Sequence, residues 1–121
     1  ECLKDFSSVK KILLIHPDYT RTDFTNKLIP LIYQELKNRG MEQIDSLNAG
    51  GTHREMTEIE IREKLGISSP INFNHFYNHE YNNPRQLVTV GDISSSFVEE
   101  KTNGELSQSI PVVVNKLITE D

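Results

Sequence analysis

Two short stretches carry the residue types that move protons and hold anions: PDYTR at 17–21 and GGTHR at 50–54. Asp18, Tyr19, Thr20 and Arg21 place a carboxylate, two hydroxyls and a guanidinium side by side. An arginine fork recognises carboxylates and phosphates, and the free N–H groups that open a helix attract the same anions. In the second stretch Gly50 and Gly51 permit a tight turn or a close approach of backbone to ligand. Histidine is the side chain that exchanges protons near neutral pH, so His53 is a candidate general acid or base. Arg54 either adds charge or braces the loop. The plainer reading is two surface turns, with Asp18 and Thr22 as helix caps and Arg21 and His53 in solvent. What favours chemistry is equivalent placement, each stretch lying after a strand-like run and before a helical pattern. If those strands are adjacent and parallel, both loops leave the same edge of the sheet. An Arg, a His and an Asp then converge on one cleft.

The flanking elements support that placement. KKILLIH (10–16) is a short continuous apolar run, expected as a strand buried on both faces. In 24–40, Phe24, Leu28, Leu31, Ile32 and Leu36 recur at helical spacing and Gly40 is a stop signal, with a kink expected at Pro30. Residues 41–50 alternate like a second strand. TEIEIREKLG (57–66) opens with a capping box, Thr57 and Glu60, and closes at Gly66. This succession predicts an α/β fold: a Rossmann-like, mainly parallel sheet with flanking helices over 10–121, behind an N-terminal tail at 1–9. The second half is less regular. A short strand over 71–75 and another over 86–92 are expected. Residues 94–100 and 107–115 flank Asn103-Gly104, a hairpin signal, and NKLITE (115–120) reads as helical.

Composition narrows the function. The 121 residues suffice for one domain with a real core. A net charge of -5 argues against a general nucleic-acid binder. The single cysteine, Cys2, allows no internal disulfide, and with no histidine near it in the N-terminal tail it is not counted as a nucleophile. No apolar run approaches the roughly 20 residues of a membrane span and no signal-peptide pattern opens the chain, so a cytoplasmic protein without a membrane partner is expected. His75 and His79 are four apart and would suit a metal on a helix, but asparagines at 72, 74, 78, 82 and 83 and Pro84 oppose a helix there. No metal ligand is therefore assigned; bracing roles are expected for both, and a packed one for His16. The chain lacks an initiating methionine and stops within a helical pattern, which reads as a piece of a longer polypeptide.

Taken together, PDYTR (17–21), LIPLIYQEL (28–36), GTHREMT (51–57), NHE (78–80) and LVTVG (87–91) resemble the N-terminal domain of the nickel-dependent lactate racemase family, over roughly 10–121. The resemblance implies the N-terminal part of a larger two-domain racemase or epimerase of 2-hydroxy acids that uses a nickel-pincer nucleotide, a nickel pyridinium dithiocarboxylate mononucleotide. In such chemistry a histidine takes the hydroxyl proton while the Cα hydride moves to the cofactor and returns on the other face. His53 matches one of the two acid/base histidines. Asp18, Tyr19, Thr20 and Arg21 match the cofactor-binding loop, with Arg21 near the reacting centre. The tethering lysine, the nickel-ligating histidine and the second acid/base group are expected in the C-terminal part of the same polypeptide. The 121 residues alone are then expected to be inactive. The competing expectation is a module that binds a small carboxylated or phosphorylated ligand without turning it over; it shares Arg21 but has no need of His53.

Overall fold

The computed structural model describes residues 9–119; Cys2 and all of the expected tail except Val9 lie outside the described residues. The chain divides into two compact units after Glu80. The first runs β1 (Lys11–His16), α1 (Thr25–Asn38), β2 (Gln43–Asn48), α2 (Glu58–Leu65) and β3 (Phe76–Asn78). Its three strands form a parallel sheet in the order β1-β2-β3. Both helices cover one face. Ile29 and Leu36 of α1 and Ile61 and Leu65 of α2 are buried in one cluster with Ile44 of β2, and Ile12, Leu14 and Phe76 pack against it. The expected α/β fold, a parallel sheet with flanking helices, is present.

Position in the sheet, rather than apolarity, decides which strand is buried. β1 is expected to be covered on both faces, but it is an edge strand and Ile15 is 51% exposed. The alternating β2 is central, and all of Ile44–Asn48 is buried. Two of its polar side chains find partners in place of water: Asp45 takes Gln43 and His75, and Asn48 donates to Asn78, whereas Ser46 Oγ and Asn48 Oδ1 are buried with no partner among the described protein groups. The third strand lies at 76–78 instead of 71–75. Asn74 first docks the chain on β2, its N–H donating to the Ile44 carbonyl and its side chain accepting from the Ile44 N–H, both at 2.9 Å.

α1 runs through Pro30 and buries Ile29 and Leu36, with Ile32 and Tyr33 packed alongside; Phe24, Leu28 and Leu31 face outward. Thr57 and Glu60 form the expected capping box of α2. Gly66 ends α2 at φ 65°, and a Cβ there would lie 2.2 Å from the Asn26 carbonyl oxygen. Pro30 has no N–H to offer that carbonyl four residues earlier. The two helices are thus brought together at a glycine.

The second unit contains β4 (Leu87–Ile93), α3 (Ser95–Lys101), β5 (Ile110–Asn115) and a 3-10 turn at Lys116–Ile118. The hairpin expected across Asn103-Gly104 is absent: residues 95–101 are helical and β5 pairs antiparallel with β4. Ser94 caps α3 by accepting the Phe97 N–H at 3.3 Å. The left-handed preference that suits a hairpin turn here ends a helix, with Asn103 at φ 51° and Gly104 at φ 86°. The helix expected over 115–120 is only that 3-10 turn among the described residues. No described helix is long and apolar enough to cross a membrane.

Candidate functional site

Because β1 and β2 are parallel, with His16 opposite Asn48, the loops that follow them leave the same edge of the sheet. Asp18 and His53, one from each loop, meet there. The Nδ1 of His53 is hydrogen-bonded to Asp18 Oδ2. The other carboxylate oxygen accepts the Thr20 N–H at 3.1 Å and the Thr20 hydroxyl at 2.6 Å. Asp18 is buried and His53 is half exposed. Burial works to raise the Asp18 carboxyl, but the hydrogen bonds from Thr20 and His53 outweigh it and hold the group below its usual range. The loop that carries His53 turns at Gly51, at φ 59°, and is closed by the His53 N–H on the Gly50 carbonyl at 3.0 Å.

Arg54, beside His53, is a brace. Its guanidinium forks onto Glu60 at 2.6 and 3.0 Å, donates to the Glu55 carbonyl at 2.8 Å, and lies 4.7 Å from the centre of the Tyr19 ring. Glu60 is pulled down to about 2, by Arg54 first and then by the Thr57 N–H. Arg21 differs. Its N–H closes a turn on the Asp18 carbonyl at 3.3 Å, and no described side chain pairs with its guanidinium.

Asn78 is a member of the site frame that the motif reading passes over. Its Oδ1 accepts from Asn48 at 2.9 Å and from the Met56 N–H at 3.0 Å, and its amide donates to the Met56 carbonyl at 2.9 Å. It ties the end of the His53 loop to β2 and β3. Its place in NHE at the end of a strand is the signal that could have identified it. His75 pairs with Asp45 at 3.0 Å, and the His79 N–H closes the β3 ladder on the Asn48 carbonyl at 2.9 Å. The run between them is a strand, so the helical spacing a two-histidine metal site requires is missing. Among the described residues no three His, Cys, Asp or Glu side chains gather as a metal site. His16 is buried and donates from Nδ1 to the Pro17 carbonyl at 3.0 Å. A cleft of about 470 Å³ beside α2 and β3, lined by Arg62, Asn72, Phe73, His75 and Asn78, includes neither Asp18 nor His53.

The first unit is thus a parallel α/β domain with a carboxylate-supported histidine on one strand-end loop and, on the adjoining loop, an arginine that no described side chain pairs. The chain belongs to the lactate racemase N-terminal domain family, whose sequence profile matches residues 2–121. It is similar to a solved protein from Thermotoga maritima at 44% identity and a TM-score of 0.89, over 99% of this chain and 29% of that one. It is also similar to the lactate racemase apoprotein from Thermoanaerobacterium thermosaccharolyticum at 25% identity and a TM-score of 0.71, over 98% of this chain and 25% of that one. The chain therefore spans less than a third of either solved chain. No functionally curated protein matches it.

Proposed function

We propose that this chain is the N-terminal α/β domain, over 10–121, of a cytoplasmic racemase or epimerase of small 2-hydroxy acids, with His53 as a general acid/base. The observation that carries the proposal is the hydrogen bond between buried Asp18 and exposed His53. An ionised Asp18 can only accept, so Nδ1 carries the proton and Nε2 of the half-exposed ring keeps its lone pair free for a ligand. No described residue bonds Nε2. A substrate hydroxyl placed there gives up its proton to Nε2, and Asp18 stabilises the imidazolium that results. In the reverse direction Nε2 returns the proton. Arg21 is the charge available to a carboxylate or phosphate.

The family implies a nickel-pincer nucleotide, and the donor set here fits one part of such a group. Arg21 and the exposed Tyr19 would hold it, Arg21 near the reacting centre. Thr20 contributes through Asp18, and Asp18 through His53. When bound, the cofactor would supply the acceptor for the Cα hydride. Nickel ligation, the covalent tether and a second acid/base group fall to the C-terminal part of the same polypeptide, so the isolated chain is inactive in this reading.

The test uses the full-length protein with the pincer nucleotide supplied. D- and L-2-hydroxy acids, starting with lactate, should interconvert, and His53→Ala should slow the exchange by about 10²-fold or more, the scale of a lost general acid/base. Exchange undiminished in His53→Ala sinks the assignment. Arg21, whose guanidinium no described side chain pairs, also suits a non-catalytic anion-binding module; ligand binding without any exchange would select that reading.

A further inference from the structure

We infer that Lys64 is a positioning residue for Arg21, an inference that rests on the reading of Arg21 as an anion-binding group. Lys64 lies in the last turn of α2, and its side chain is only 10% exposed. Its ammonium donates to the Arg21 main-chain carbonyl at 2.5 Å and to Asp23 Oδ2 at 3.0 Å. The other oxygen of Asp23 accepts the Thr25 N–H at 2.9 Å, which fixes the start of α1. Asp23 is held down to about 2 by Thr25 and then by Lys64, so it stays ionised as the partner of the ammonium.

A lysine at a helix C-terminus commonly serves the helix dipole, and an exposed one does that as well. This one is turned inward, and an ammonium gives up strong hydration when it is covered. What it gains is contact with main chain at residue 21. Arg21 has no side-chain partner among the described residues, so the main chain that Lys64 holds is the fixed point from which its guanidinium reaches. One turn earlier on the same helix, Glu60 grips Arg54 next to His53. A single helix therefore secures both loops of the site, Glu60 the one with His53 and Lys64 the one with Arg21.

The experiment measures the affinity of the full-length apoprotein for inorganic phosphate in a double-mutant cycle. Arg21→Ala should weaken binding about tenfold, the scale of one charge-assisted contact. Lys64→Met should give a comparable loss although Arg21 is intact, and the double variant should bind no more weakly than Arg21→Ala alone. Lys64→Arg, which keeps the donors and the charge, should restore most of the affinity. Unchanged affinity in Lys64→Met overturns the proposal. So do losses that multiply in the double variant, because they would mean that Lys64 contributes only its own charge. If Arg21→Ala itself binds phosphate normally, the reading of Arg21 fails first and the proposal goes with it. Should Lys64→Met not fold, Asp23→Asn takes its place. It should weaken phosphate binding when Arg21 is present and have no effect in the Arg21→Ala background; any other result overturns the proposal.

Discussion

Asp18 and His53 stand 35 positions apart and are joined by one hydrogen bond, from the imidazole Nδ1 to a buried carboxylate oxygen. That bond fixes the ring in one tautomer and one orientation. Thr20 occupies the other carboxylate oxygen, so Asp18 cannot turn away without losing two further hydrogen bonds. A surface histidine with no such support would sample many rotamers and both neutral tautomers.

The first prediction separates those two functions. Asp18→Asn keeps the shape of the carboxylate and removes its charge. In the full-length, cofactor-loaded protein it should slow exchange of 2-hydroxy acid enantiomers by roughly 10²- to 10⁴-fold, the range of a positioned acid/base group. Asp18→Asn/His53→Ala should be no slower than His53→Ala alone. An additive double variant would show that Asp18 acts independently of His53.

A second prediction concerns two glycines that share a backbone conformation and differ in surroundings. Gly40 has φ 78° and open space where a Cβ would stand, while Gly66 has φ 65° and the Asn26 carbonyl 2.2 Å away. Gly40→Ala should cost about 1–2 kcal/mol, the strain of left-handed backbone for an L-residue. Gly66→Ala should cost clearly more, because α2 must also move off the start of α1. Urea denaturation of the two variants provides the comparison; equal losses would mean that the close approach is relieved without cost.

Much of the first unit is legible in the sequence because its signals are local. The Thr57–Glu60 capping box and the stop at Gly66 need only neighbours within one helix, and both stand in the structure. The convergence of the Asp18 and His53 loops follows from one inference about topology, that β1 and β2 are parallel neighbours. What escapes the sequence depends on distant partners. Nothing in IDS at 44–46 announces a buried carboxylate, because Asp45 is paid for by His75 thirty positions away. Lys64 looks like an ordinary last-turn lysine until Arg21 and Asp23 are placed beside it. Asn103-Gly104 is informative about backbone φ but silent on what precedes it, and Ser94 gave that segment to a helix.

The Arg54 brace predicts a titration. Glu60 is held at about 2 chiefly by the Arg54 fork. Carbon-detected NMR of the side-chain carboxyl should find it titrating far below an ordinary glutamate. Arg54→Ala should raise it toward 4.5, with the N–H and hydroxyl of Thr57 still holding it below that value. A Glu60 that titrates low in both forms would assign the shift to the cap instead of the brace.

The last prediction comes from His16, which lies two residues before Asp18 at the end of β1. Burial, reinforced by Lys64, lowers its pKa from 6.5, against the opposing pull of the Pro17 carbonyl and Asp23. Its Nε2 has no hydrogen-bond partner among the protein groups described. The folded state therefore holds His16 neutral at a pH where the unfolded chain already binds a proton. With a depressed folded-state value, its contribution to stability is complete above 6.5 and is lost progressively as pH falls from there toward the lowered value. The slope it adds is at most about 1.4 kcal/mol per pH unit, the limit for one proton. Denaturation midpoints between pH 7.5 and 5 should decline in the natural protein. In His16→Gln, which cannot take up that proton, the decline should be shallower over the same window. Asp18 and Asp23 are both held low and leave that window largely to histidine. Parallel curves for the two proteins would show that His16 is protonated in the folded state without penalty, and that its buried ring has a partner in solution.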